Sequence, residues 1–151
     1  MPTLLLDLDG VVYGKDGVIP GAAQTVKWLR DTDLHTARGG VWLADRVEGP
    51  LALFVPEATQ AEFAQLPILD GEAEKGAGAV VVGDLGYDWS FAVLNRAFRL
   101  LIADPDCPLV ALGMTRYWRA PDGMRLDVAP FVTALQHAMG RTIRVLGKGQ
   151  G

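Results

Sequence analysis

The chain has 151 residues, half of them apolar and 21% charged, the size and balance of one ordinary domain, which excludes global disorder and fibrous repeats. Fourteen Lys and Arg against eighteen Asp and Glu leave a formal charge of −4 with no basic stripe, so no nucleic-acid partner is expected, because neutralising phosphates needs a basic face. No apolar run approaches the roughly 18 residues of a membrane span, no signal-peptide pattern opens the chain, and the single Cys107 cannot form an internal disulfide; a cytoplasmic chain with no membrane partner is expected.

Thr3-Leu4-Leu5-Leu6-Asp7 reads as a short buried strand that delivers its last residues to a turn-rich loop running through Asp16-Gly17 to Pro20-Gly21. Ala22, Val26 and Leu29 then recur at helical spacing, with basic Lys27 and Arg30 near the helix end. The stretch from Asp31 to Gly40 is polar and carries no clear pattern, and a short helix is expected from about Thr36 to Arg46. A strand over Leu51 to Val55 follows, then a helix over about Ala58 to Phe63 and a long loop through Pro67 and Asp70-Gly71.

Ala79 to Val82 is a second buried-strand run, and Phe91, Leu94, Phe98 and Leu101 mark the strongest helix, Trp89 to Ile102, with Ser90 as its cap. Leu109 to Leu112 is a further apolar strand. Arg116 to Arg119 and Met124 to Leu126 flank Pro121-Asp122-Gly123, which predicts a hairpin. A helix over Pro130 to Met139 stops at Gly140, and Ile143 to Leu146 is a last strand. The alternation of strands and helices predicts an α/β fold with mainly parallel pairing and functional loops at the carboxyl ends of the strands. Trp42, Phe54, Phe91 and Phe98 are assigned to the core.

Asp7 and Asp9 flank Leu8 where the first strand ends, before Gly10. Two readings stand for this pair. Carboxylates at i and i+2 in apolar surroundings repel each other unless a cation is present or one is protonated; a divalent cation would let one attack a phosphoryl group while the other moves a proton. Alternatively, Asp9-Gly10 ends the strand as a turn and Asp7 caps a backbone amide.

The run Leu5-Leu6-Asp7-Leu8-Asp9-Gly10-Val11-Val12-Tyr13, with Ile19-Pro20-Gly21-Ala22 beyond it, resembles the first motif of the haloacid dehalogenase superfamily, in its NagD-like branch with an inserted α/β cap. Ala79 to Asp84, Leu94 to Leu101, Arg116-Tyr117-Trp118, Phe131 to Leu135 and Val145-Leu146-Gly147-Lys148 continue the resemblance in order, and look closest to the subgroup of phospholysine phosphohistidine inorganic pyrophosphate phosphatases. The resemblance implies an incomplete Rossmann-like core with a mainly parallel sheet and an inserted α/β cap: residues 1–49 core, 50–141 cap, and 142–151 the strand returning to the core with the lysine motif.

It also implies Mg2+-dependent hydrolysis of a small phosphorylated molecule through a phosphoaspartate. In that scheme Asp7 is the nucleophile, Asp9 the acid/base, and Lys148 the cation that neutralises the phosphoaspartyl site. The Asp7 carboxylate and the Asp9 backbone carbonyl would hold Mg2+, with Gly10 beside the substrate. Arg116 and Tyr117 on the cap hairpin either face substrate, since Arg suits phosphate and aromatics close a pocket, or form a cap surface or subunit contact.

The chain departs from the family pattern at two motifs. The strand ending in a phosphate-gripping Thr or Ser, due after the first helix, is replaced by Asp31 to Thr36 and an abrupt junction near Leu34, and the acidic pair that completes Mg2+ coordination would lie beyond Lys148. A second hypothesis is therefore a non-catalytic cap or fragment serving self-association, because a truncated parallel sheet exposes an edge and an apolar face; a homodimer or other self-association is expected.

Three further features invite weaker readings. Val80 to Asp84, with Asp88 beyond, mimics a strand followed by an acidic pair, but its position marks it as a cap loop in which Asp84 and Asp88 hold a turn and a helix start. His35 and His137 have no ligand partners at metal spacing. Cys107 has no nearby His and is not expected to be a catalytic thiol.

Overall fold

The computed structural model describes residues 46–142 and, outside that span, residues 3–4, 13–14, 17–18, 20–21, 24, 35–36, 43 and 144–145. At the N-terminal side, β1 (Thr3–Leu4) pairs in parallel with β4 (His35–Thr36), and β2 (Tyr13–Gly14) pairs antiparallel with β3 (Gly17–Val18). The strand at His35–Thr36 lies in the polar stretch that carries no clear pattern, and it corrects one expectation, since the helix expected from about Thr36 does not begin there. A strand this short draws its stability from the backbone bonds of its partner, so its own side chains carry no period-2 signal. Leu43 is helical, and its carbonyl accepts the amides of Arg46 and Val47, ending the turn near Arg46.

The main sheet has the order β10-β7-β6-β5, all parallel: β5 (Leu51–Phe54), β6 (Ala79–Val82), β7 (Leu109–Ala111) and β10 (Arg144–Val145). The α/β class with parallel pairing is as expected. The sheet of the 50–141 segment also takes in a strand from residues 142–151, because Arg144 pairs with Val110 and Val145 with Ala111.

Side chains alternate cleanly between the two faces. Ala52, Phe54, Val80, Val82, Leu109 and Ala111 pack on one side, with Ala97, Leu100 and Leu101 of α2 (Phe91–Ala103) and Val128, Val132 and Leu135 of α3 (Val128–Met139). Leu51, Val55, Ala79, Val81 and Val110 pack on the other, with Leu43 and Phe63. Strands buried on both faces read as unbroken apolar runs, which is why β6 is Ala-Val-Val-Val.

The chain leaves β5 through α1 (Glu57–Gln60) and a 3-10 turn at Ala61–Phe63, in place of the single helix expected over 58–63. Phe63 is fully buried on the Leu43 side. Ile68 then bridges Leu51, with the Leu51 amide on Pro67 O and the Leu69 amide on Leu51 O, before the chain recrosses the opposite face to β6. Beyond β6, α2 stays on that opposite face. The segments that follow β5 and β6 thus pack on opposite faces of the sheet, Phe63 with Leu43 on one and α2 on the other.

Two helix details differ from expectation. The inward stripe of α2 centres on Ala97, so Phe91, six residues earlier and about 120° around the helix, is 83% exposed and not core. Phe54 is buried as expected, Phe98 packs at the core margin, and Trp42 lies outside the described residues. Helix α3 starts two residues before Pro130, because the Asp127 carboxylate accepts the Val128 amide at 2.6 Å and Pro130 sits in the first turn, where its missing N–H has no helical acceptor to lose. Its expected stop holds: Gly140 is left-handed at φ 62° and donates to Gln136 O at 2.9 Å.

Candidate functional site

Asp7, Asp9, Gly10 and Lys148 lie outside the described residues. The part of the candidate site that is described is the carboxyl edge of the main sheet: the loop after β6 and the hairpin that follows β7.

After β6 the chain turns at Gly83, where a Cβ would come within 3.2 Å of Val55 Cγ1. The Asp84 carboxylate accepts the Gly86 amide at 2.9 Å and closes a turn onto a 3-10 segment, Gly86–Asp88. Ser90 Oγ accepts the Val93 amide at 3.2 Å, the expected cap of α2. Asp84 therefore holds a turn, as read from sequence. Among the described residues no group of three His, Cys, Asp or Glu could hold a metal ion. Trp89 stacks between Phe54 and Phe131, at 6.5 and 4.5 Å between ring centres, and anchors the loop to both helices and the sheet.

The hairpin forms where Pro121-Asp122-Gly123 predicted it: β8 (Tyr117–Ala120) pairs with β9 (Gly123–Leu126), Trp118 opposite Arg125 and Tyr117 opposite Leu126. At its base the Asp127 amide donates to Arg116 O and the Ala129 amide to Thr115 O, both at 3.1 Å, tying it to the start of α3.

Alternation gives the hairpin two unlike faces. Tyr117, Met124 and Leu126, on one face with Arg119, are each more than half exposed. On the other face, Arg125 lies with its guanidinium 4.4 Å from the Tyr87 ring centre and 5.3 Å from that of Trp118, and bonds Asp122 at 2.9 Å. The Tyr87 hydroxyl donates to the second Asp122 oxygen. This hydroxyl, followed by the Arg125 guanidinium, holds the Asp122 carboxyl below its usual range.

Arg116 is exposed and its guanidinium lies 5.8 Å from the Tyr117 ring centre. The structure thus brings Arg116 and Tyr117 together on the hairpin and keeps them apart from the Tyr87, Asp122 and Arg125 group. Sequence reading missed that group: Tyr87 and Asp122 are 35 residues apart, and no local pattern announces a contact at that separation.

Among the described residues, His137, Cys107 and Arg141 have structural surroundings. His137 is exposed on α3. Cys107 is buried, and burial, followed by the Asp104 charge, pushes its thiol up to about 11, so it is protonated at neutral pH and is not a nucleophile. Arg141 donates to the carbonyls of Leu101, Pro105 and Cys107, joining the ends of α2 and α3 to the start of β7.

No family model matches the chain. A mouse (Mus musculus) protein named haloacid dehalogenase-like hydrolase domain-containing protein 2 is 29% identical over 98% of the chain and 67% of its own length. Phospholysine phosphohistidine inorganic pyrophosphate phosphatase of Danio rerio is 37% identical over 55% of the chain and 31% of its own length. Among solved structures, a hypothetical protein from Pyrococcus horikoshii OT3 superposes with a TM-score of 0.73 at 15% identity, covering 97% of this chain and 71% of that one. Glycerol phosphate phosphatase of Mycobacterium tuberculosis, in complex with magnesium, gives 0.65 at 24% identity, covering 96% and 54%. The chain is thus similar along nearly its whole length to a haloacid dehalogenase-like hydrolase domain-containing protein, and it shares the α/β fold of these solved structures.

Proposed function

We propose that the chain carries the chemistry of a Mg2+-dependent phosphatase acting on a small phosphorylated molecule through a phosphoaspartyl intermediate. The observation that carries this is the likeness along 98% of the chain to a haloacid dehalogenase-like hydrolase, together with Asp7-Leu8-Asp9-Gly10 at the end of the first strand run. In this reading a carboxylate oxygen of Asp7 forms a bond to phosphorus as the bond to the leaving oxygen breaks, and Asp9 gives that oxygen its proton. Asp9 then takes a proton from the water that attacks phosphorus, and Asp7 is released. Lys148 neutralises charge on the phosphoryl oxygens.

The donor set suits magnesium, since the Asp7 carboxylate and the Asp9 carbonyl are hard oxygen ligands. A bound Mg2+ supplies charge neutralisation at the transferring group. Arg116 and Tyr117 contact the substrate from the hairpin, and the chain works in the cytoplasm. The test is phosphate release from p-nitrophenyl phosphate with and without Mg2+. Asp7→Asn is expected to lower the rate at least about 100-fold; equal rates for the two proteins overturn the reading.

A second reading, a self-associating module without turnover, is favoured by the outer hairpin face, where Tyr117, Met124 and Leu126 are 54%, 60% and 57% exposed. It predicts a homodimer in sedimentation at micromolar concentration. A compact monomer there overturns it.

A further inference from the structure

We propose that Tyr87, Asp122, Arg125 and Trp118 form a latch that positions the hairpin, and through it Arg116 and Tyr117, for the substrate; this rests on the reading above that the hairpin faces substrate. A two-stranded hairpin is marginal by itself, and here one of its faces is left largely to solvent. Among the described elements its two strands pack broadly only on each other. Its base is set by the two backbone bonds to Asp127 and Ala129, and at the tip Ala120 is buried beside the turn. Asp122 sits in the two-residue turn at that tip.

The latch adds a polar restraint at that tip. Asp122 takes one bond from Arg125 on its own hairpin and one from Tyr87 on the loop after β6. Arg125 in turn is flanked by the Tyr87 and Trp118 rings, and its Nε and the Trp118 Nε1 are buried without a hydrogen-bond partner. Stacking and the bond to Asp122, not a full set of donors, are what hold the guanidinium there. Tyr87 is 77% exposed and gains no core burial, so its contacts to Asp122 and Arg125 are its structural use.

The loop that carries Tyr87 is itself fastened to the sheet by the Asp84 turn and the Trp89 stack. The latch therefore refers the hairpin tip to the carboxyl end of β6. Because Trp118 faces the latch, Tyr117, one residue earlier, is presented to the opposite side. These four residues are positioning residues and move no proton.

The experiment pairs hydrogen exchange with kinetics on the full chain, using Tyr87→Phe, Arg125→Ala and Arg125→Lys. Tyr87→Phe removes one exposed hydroxyl and keeps the ring, so it folds. Exchange at amides of residues 117–126 is expected to rise on the order of tenfold in Arg125→Ala, and less in Tyr87→Phe, with Phe91–Ala103 unchanged. With p-nitrophenyl phosphate and Mg2+, KM rises at least about fivefold while kcat stays within about twofold, and Arg125→Lys restores KM only in part because an ammonium lacks the planar fork.

Unchanged hairpin exchange in both Tyr87→Phe and Arg125→Ala overturns the latch. Faster exchange with KM unaltered in an active protein overturns its positioning role. A wild-type chain that releases no phosphate defeats the phosphatase reading and the positioning role built on it, while the exchange arm still decides whether the latch holds the hairpin.

Discussion

Replacing Gly78 with alanine tests how tightly β5 and β6 are joined where the two strands begin. A Cβ built on Gly78 falls inside van der Waals contact of the Glu48 carbonyl oxygen and 3.0 Å from the carbonyl carbons of Glu48 and Gly49. Every atom it meets is backbone, so no side chain can swing away. The same glycine donates its amide to Pro50 O at 2.7 Å, one residue before the Leu51 and Ala79 pair, and relief of the clash stretches that bond.

Overpacking of this kind costs about 1–3 kcal/mol and a weakened backbone hydrogen bond about 0.5–1.5 kcal/mol, offset by about 0.4–1 kcal/mol from a stiffer unfolded chain. Gly78→Ala should thus destabilise by about 1.5–3 kcal/mol. Two controls share the unfolded-state gain. Gly76 has φ 84° and open space around it, so Gly76→Ala carries only the left-handed penalty and nets roughly 1 kcal/mol. Gly71 has open space and no such backbone, so Gly71→Ala is neutral or stabilises slightly. Urea unfolding at 25 °C, with the slope compared across the three, measures the series. A Gly78→Ala protein within about 0.5 kcal/mol of Gly71→Ala would refute the close-approach argument.

Two other predictions follow from single side chains. Removing the caps, Ser90→Ala on α2 and Asp127→Ala on α3, should each lower stability by about 1 kcal/mol in the same urea assay, and a loss for Asp127→Gly as large as for Asp127→Ala would argue against capping as the cause. The Cys107 thiol is raised from an ordinary 9.0 to about 11, so above pH 9 the unfolded chain loses its proton first. Its contribution is complete below pH 9 and is lost as pH rises towards 11, on the order of 1 kcal/mol once solvent screening is allowed for. Stability measured across that window should fall more steeply for wild type than for Cys107→Ala, and parallel curves would contradict the burial argument.

The sequence by itself determined the elements whose cause is local. Apolar runs at Leu51–Phe54, Ala79–Val82 and Leu109–Ala111 became strands buried on both faces, since no alternation is needed where both sides are dry. Ser90 and Gly140 ended their helices as capping groups and left-handed glycines do, and Pro121-Asp122-Gly123 made its hairpin. The similarity to a haloacid dehalogenase-like hydrolase domain-containing protein was legible in ordered short motifs from Asp7 to Lys148, from which the roles proposed for Asp7, Asp9 and Lys148 are drawn.

Only the tertiary structure decided the features set by partners distant in the chain. His35–Thr36 is a strand because Thr3–Leu4 lies beside it, and Arg144–Val145 joins the main sheet because β7 has a free edge. Phe91 points to solvent because small Ala97 occupies the closest approach of α2 to the sheet, and an alanine is nearly silent in an apolar pattern. Tyr87 meets Asp122 and Arg125 across 35 and 38 positions. Helical and strand periods reach only a few residues along the chain, whereas such contacts are fixed by how strands order themselves in space, and a linear pattern carries no record of that order.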